Sequence, residues 1–335
     1  MITRFALPAL LADIGGTNAR FALAEDGADG FRDLGRTPTA AHPDPHAAVR
    51  DFALPRCPVR PRTAILAVAA PVTGDRIVFT NCPWVLEPRR LVAELGFETV
   101  VAVNDFEAQA LALPGLGPAD LVALDGGLAR PDATRVVIGP GTGLGVAQLI
   151  ASDGRWIPVP GEGGHASLAP DGAREEAIWH EIAKVEGRVC AEAVLSGPGL
   201  VRLHDALRAV DGLPASALDP AGVTAAAEAG DAVAREAVAV FVAALGRFAG
   251  DVALIALARG GVYLAGGIPP RLVGPLAAGG FRAAFENKPP YRALMAEIAT
   301  AVVVHPLPAF VGLAAWARHP DRFAVDVARR RWSAD

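Results

Sequence analysis

Two stretches of the chain carry residue types that can handle a phosphorylated ligand. In the first, Ala12-Asp13-Ile14-Gly15-Gly16-Thr17-Asn18-Ala19-Arg20, an apolar run enters a turn holding one carboxylate, two adjacent glycines and a hydroxyl. Glycines let main-chain N–H groups come close to an anion, and the threonine hydroxyl adds a donor. An aspartate beside phosphate needs a cation between them, so the pattern reads as a Mg-nucleotide phosphate site. A plain hairpin turn explains the glycines but not Asp13, Thr17 and Arg20 together. The second stretch, Arg135 to Ala147, repeats the first, so that Gly141-Thr142 falls on Gly16-Thr17. Neither stretch is a P-loop, and the spacing around Leu144 fails the dinucleotide fingerprint.

Three further places hold polar groups in suggestive settings. Asn104-Asp105 follows the apolar run Thr99 to Val103 and precedes a helical pattern, which is where open α/β sheets place ligands. Glu162 and His165 sit three apart among the glycines of Val159 to His165, although a surface loop is the plainer account. Glu192 precedes an apolar pair and the Gly197-Pro198-Gly199 turn; alone it reads as a helix-terminus charge. Gly266-Gly267 ends another apolar run, where a flat base or ribose can lie against bare backbone.

The elements that must position these groups follow from periodicity. Thr63 to Ala69 and Thr99 to Val103 are continuous apolar runs expected of strands buried on both faces, and Ile77 to Trp84 reads as a strand ending in a polar loop. Asp51 to Arg62 reads as a proline-rich loop. Helical spacing marks Glu87 to Leu95 with Gly96 as its stop, Glu175 to Glu186, the long stretch Asp231 to Ala258, and Pro308 to Ala317. Alternating helices and strands with a repeated opening hairpin give an α/β class with duplicated architecture.

Composition narrows the function classes. At 335 residues and 52% hydrophobic residues the chain has material for two cores. A net charge of −5 leaves no basic surface for a nucleic-acid backbone. The dense run Arg329-Arg330-Arg331 is expected on a solvated C-terminal helix face. Cys57, Cys82 and Cys190 form neither a disulfide framework nor a metal pair, so reduced thiols and a cytoplasmic home are expected. No apolar run reaches the ~20 residues of a membrane span, and Asp13 interrupts the only N-terminal one.

The ordered set Asp13 to Arg20, Thr80-Asn81 with Trp84, Asn104-Asp105-Phe106, Gly139 to Gly145, Pro160 to His165, Leu195 to Leu200 and Leu264 to Pro269 resembles the bacterial glucokinases of the hexokinase/actin-like superfamily, nearly end to end. The resemblance implies a two-domain actin-like/hexokinase-like (duplicated ribonuclease H-like) fold with a cleft between domains. Its small domain would be residues 1–115 plus 308–335 and its large domain 116–307. It implies ATP and Mg²⁺ as nucleotide and metal, with Ala12, Asp13, Ile14, Gly15, Gly16, Thr17, Gly141, Thr142, Gly266 and Gly267 as nucleotide contacts and Asp13 near the magnesium. Glucose would be held by Asn104, Asp105, Glu162, His165 and Glu192, with Asp105 as general base for transfer to the C6 hydroxyl, and the protein would be a cytoplasmic homodimer. One departure is Pro140, which lacks an N–H and puts the donor set of the second turn in doubt. Two rival readings are a kinase of another hexose on the same fold and a non-catalytic sugar-sensing regulator. The acidic chain has no room for a DNA-binding module before the first turn and lacks a CxCxxxxC cluster, which weighs against the regulator.

Overall fold

The computed structural model describes residues 4–27, 29–79 and 81–334; Thr80, quoted above, lies outside them. By main-chain contacts the chain divides into one unit made of Met1–Gly117, Gln148–Pro160 and His305–Asp335 and a second made of Pro118–Ala147 and Gly161–Val304.

The first unit is built on strands β1 (Ala9–Ile14), β2 (Asn18–Ala24), β3 (Arg32–Pro38) and β4 (Thr63–Val68), the short pair β5 (Ile77–Val78) and β6 (Val85–Leu86), then β7 (Thr99–Asn104). Five of these and the C-terminal β14 (Arg331–Ser333) form one sheet in the order β14-β7-β4-β1-β2-β3. β1, β4 and β7 are parallel, with Leu11 beside Ile65 and Ile65 beside Val101. Both faces are covered, which is why these strands read as unbroken apolar runs. Leu10, Ala12, Ile14 and Leu66 pack with Trp84, Phe97 and Trp332 on one side, and Leu11, Ile65 and Val101 pack with Phe310, Leu313 and Trp316 on the other.

Two expectations change here. Ile77 to Trp84 is a strand for only two residues, because the chain turns back so that β5 pairs with β6. The stretch expected as loop after Asp51 is partly helical, with a wide turn over Val49–Ala53 and a 3-10 turn over Leu54–Arg56, and the Arg56 guanidinium lies 3.7 Å over the Phe52 ring.

The second sheet runs β11 (Arg155–Gly161), β10 (Leu144–Ser152), β9 (Arg135–Pro140), β12 (Val262–Leu264), β13 (Thr300–Val303), β8 (Leu121–Asp125). Its order repeats that of the first: a three-strand meander, two strands parallel to the meander's first, then an antiparallel edge. The duplication expected from the two hairpins is therefore present in topology. The second unit's core centres on helix Ala232–Ala256, whose Phe241, Leu245 and Phe248 are buried. This helix is long and apolar enough to cross a membrane by length and composition, contrary to the expectation of no such run, yet it carries Arg235, Glu236, Arg247 and Asp251 and packs as a core helix. Near the end of this helix Ile255 is 82% exposed, and Leu257 ends the helix in the left-handed region.

Helix Pro308–Arg318 lies against helix Asp105–Ala112 at close range. A Cβ on Gly312 would stand 2.4 Å from the Ala108 carbonyl oxygen and 2.6 Å from the Ala112 nitrogen, so only glycine allows the two backbones this approach. Replacing Gly312 by Ala should destabilise the protein by about 1–3 kcal/mol through overpacking. Urea unfolding checks this: the midpoint falls with the slope unchanged, and an unmoved midpoint would contradict the packing described.

Candidate functional site

The first unit holds the opening glycine turn and the Asn104-Asp105 turn. In the hairpin the Gly15 N–H donates to the Asn18 carbonyl at 3.0 Å. Thr39 ties the turn down from outside: its hydroxyl donates to the Gly16 carbonyl at 2.8 Å and its N–H to the Thr17 carbonyl at 2.9 Å. A trans peptide points its C=O and N–H in opposite directions. Anchoring those two carbonyls on Thr39 therefore aims the N–H groups of Thr17 and Asn18 away from it, which suits an anion on that side. Gly16 cannot be another residue without movement, since a Cβ there would lie 2.6 Å from Asn81 Cβ. Asp13 and Arg20 are cross-strand partners joined at 3.0 Å. Burial lifts the Asp13 carboxyl above the usual carboxylate range, with Arg20 opposing the shift. The pair thus has a structural account within the hairpin as well as the chemical one.

Asn104 ends β7 and caps helix Asp105–Ala112. Its side-chain oxygen accepts from the Phe106 N–H at 2.9 Å and the Glu107 N–H at 3.4 Å, while the Glu107 carboxylate accepts from the Asn104 N–H at 3.4 Å. This is a capping box, and its sequence signature, Asn104 with Glu three positions on, was present to be read. The cap uses the Asn104 oxygen, so what Asn104 can offer a ligand is its NH₂ group. Asp105 is half-buried on the first turn, and its Oδ1 accepts from the Phe106 N–H at 3.0 Å.

The second unit gathers the other predicted groups around the second glycine turn. There the Gly141 N–H donates to the Gly143 carbonyl at 2.8 Å, and the Gly141 carbonyl accepts from the Gly197 N–H at 2.8 Å. Glu192, on the short helix Ala191–Val194, accepts from the Leu144 N–H at 2.8 Å, and a Cβ on Gly143 would stand 2.5 Å from its Oε2. Its carboxylate therefore acts directly on the turn, beyond the helix-end charge that its sequence context predicts. The 3-10 turn Gly163–His165 packs on the same strand, with a Cβ on Gly164 falling 2.2 Å from the Leu144 carbonyl oxygen. Glu162 and His165 themselves are exposed. The third glycine turn joins from β12: Gly266 has φ +83° and a Cβ there would lie 2.8 Å from the Pro140 carbonyl oxygen, which also accepts from the Ile268 N–H at 3.3 Å. Thr142, Gly266 and Gly267 are exposed. Past that turn a cavity of about 400 Å³ is lined by Thr224, Val238, Arg271, Leu272 and Pro275 among others.

The sequence is similar to known proteins along nearly its whole length. A family model described as glucokinase matches residues 10–320. Glucokinase from Mesorhizobium japonicum is 48% identical over 333 residues, 99% of this chain and 98% of that protein. Glucokinase from Rhizobium meliloti is 48% identical over 98% of this chain and 97% of its own length. Among solved structures, a glucokinase from an Antarctic psychrotroph superposes with a TM-score of 0.82 at 32% identity, over 94% of this chain and all of that one. A Streptomyces griseus ROK family glucokinase in complex with glucose and AMPPNP shares the fold, with a TM-score of 0.60 at 20% identity over 92% of this chain and 98% of that one. Full-length identity and the sheet order agree, and this chain belongs to the glucokinase family.

Proposed function

We propose that this chain transfers the γ-phosphoryl group of ATP to the C6 hydroxyl of glucose, giving glucose 6-phosphate and ADP. The observation that carries the reading is the capped turn at the end of β7, which holds Asp105 on a rigid helix start beside Asn104. Asp105 accepts the proton of the C6 hydroxyl as that oxygen forms a bond to the γ-phosphorus. The bond from that phosphorus to the oxygen bridging it to the β-phosphate breaks, and ADP leaves with the electron pair. Phosphoryl transfer is largely loose, so most of the acceleration comes from positioning and charge neutralisation. The Thr17 and Asn18 N–H groups of the first turn and the N–H groups from Thr142 on in the second serve the phosphates, while the Gly15 and Gly141 N–H groups close their own turns.

The carboxylates of Glu162 and Glu192, the Asn104 amide and His165 hold the ring hydroxyls. A sugar lacking or inverting one hydroxyl leaves an acceptor unpaired, at about 1–3 kcal/mol, which favours glucose. The base and ribose lie against Gly266-Gly267, with the neighbouring cavity as room for the ring. Mg²⁺ takes one or two carboxylates plus substrate oxygens, and Asp13, the carboxylate next to the first turn, fits that need; bound there, the ion would neutralise phosphate charge. Free thiols at Cys57, Cys82 and Cys190 suit a cytoplasmic enzyme, and family resemblance points to a homodimer working without nucleic acid or membrane.

Asp105→Asn should lower kcat by ~10²–10⁴ while glucose binding changes little, because proton acceptance is lost only in the transition state. A coupled ADP assay with glucose and a panel of other hexoses measures this; near wild-type kcat in the variant would remove Asp105 as the base. Glu162→Gln should raise KM for glucose roughly 3–30-fold and leave KM for ATP unchanged, as a charged hydrogen bond becomes a neutral one. Glu192→Gln should raise both KM values, since its carboxylate also holds the Leu144 N–H of the second turn. Identical behaviour of the two variants toward ATP would show that this bond does not reach the nucleotide.

A further inference from the structure

The basic run near the C-terminus is not the solvated helix face that its composition predicts. Arg329 has φ +60°, Arg331 begins β14, and the Arg330 side chain is only 12% exposed. Its guanidinium meets Glu107, which is fully buried: Nη1 donates to Oε2 at 2.6 Å and Nη2 to Oε1 at 3.3 Å. Nη2 also donates to the Asp326 carbonyl. The main chain of Arg330 is fixed too, its carbonyl accepting from the Ala102 N–H of β7 at 3.1 Å. The following residues pair with the same strand, Trp332 opposite Val100.

Glu107 Oε2 thus accepts both from Arg330 Nη1 and from the N–H of Asn104, one residue before Asp105. We propose that Arg330 is a positioning residue for phosphoryl transfer: its two-pronged grip orients the Glu107 carboxylate, Glu107 holds the Asn104 main chain, and the C-terminal tail thereby sets the direction in which Asp105 leaves β7. The inference rests on the reading of Asp105 as the base. A carboxylate with no side-chain freedom and a bidentate guanidinium form a rigid link, and lysine, a point charge with no fork, cannot reproduce it. Small displacements of a reacting group are costly, about 10²-fold for 1 Å.

The test uses the full chain with Arg330→Met, Arg330→Lys and the double variant Glu107→Gln/Arg330→Met. The single Met variant strands a buried charge and can fail to fold; the double variant leaves none behind. In the double variant kcat should fall ~10–100-fold with KM for ATP within about threefold, and Arg330→Lys should be intermediate. Wild-type kcat in the double variant, or parallel loss of kcat and ATP affinity, overturns the proposal. Hydrogen exchange at the Phe106 and Glu107 amides reads the turn without reference to activity and should speed up about tenfold in the double variant. Unchanged exchange there sinks the positioning role even if Asp105→Asn is inactive. Faster exchange together with an active Asp105→Asn keeps Arg330 as the holder of the turn and removes only the assignment of the base.

Discussion

Close approach of a neighbouring segment to bare glycine main chain is the constraint on which the three glycine turns and the Glu162–His165 loop depend. At Gly16, Gly143, Gly164 and Gly266 a Cβ would stand 2.6, 2.5, 2.2 and 2.8 Å from its nearest neighbour, respectively Asn81, Glu192, Leu144 and Pro140. Real Cβ atoms do not come this near, so each glycine is where one segment rests on another. The consequence reaches past the turns themselves. Gly143 brings the Glu192 carboxylate onto the second turn, and Gly164 seats the Glu162–His165 loop on the start of β10. In the first unit Gly16 seats the opening turn against Asn81.

Buried charge does the complementary work of fixing orientation. Glu107 with Arg330 holds the Asn104 main chain, and Glu175 with Arg247 joins helix Gly172–Glu186 to the long helix of the second unit. Arg282 donates to the carbonyls of Ile298, Met295 and Ala296 at 2.7, 2.9 and 3.0 Å, at the C-terminal end of helix Arg292–Glu297. Such groups are a poor route to stability, since desolvation offsets much of the attraction. Their value is that each has few alternative geometries, and that is the property a site needs from its supports.

The sequence showed the elements best where one force decided them. β4 and β7 are buried on both faces and read as apolar runs; helix Pro88–Leu95 ends at Gly96, whose φ of +71° is what the glycine predicted. Reading failed where tertiary contacts decide. β5 is two residues long because its partner β6 lies across a turn, and no local pattern fixes that length. Arg330 looked like surface because its partner, Glu107, is 223 positions away and itself reads as an ordinary helix charge. Glu192 likewise could be identified as a carboxylate but not as a brace, since Leu144 is 48 residues distant. The Asn104–Glu107 cap, by contrast, is local enough to be found by spacing.

The two hairpins show how a repeated design tolerates a residue that its sequence makes suspect. Aligned on the glycine-threonine pair, Pro140 stands where the first hairpin has Gly15 and Gly143 stands where it has Asn18. In the first hairpin the turn is closed by the Gly15 N–H on the Asn18 carbonyl, a bond that proline at position 140 cannot make. The second turn keeps the acceptor position and shifts the donor by one, from the position of Pro140 to Gly141, which donates to the Gly143 carbonyl at 2.8 Å. The Pro140 carbonyl is used as well, receiving the Ile268 N–H and lying against Gly266. Shifting the donor spends the Gly141 N–H inside the turn, so it is not available to an anion. The second turn must then rely on N–H groups after Gly141, and its geometry is held instead by Glu192 on Leu144. Proline at 140 and a carboxylate at 192 are for that reason two halves of one arrangement: the first moves the closing bond inward, and the second braces the strand on which the shortened turn ends.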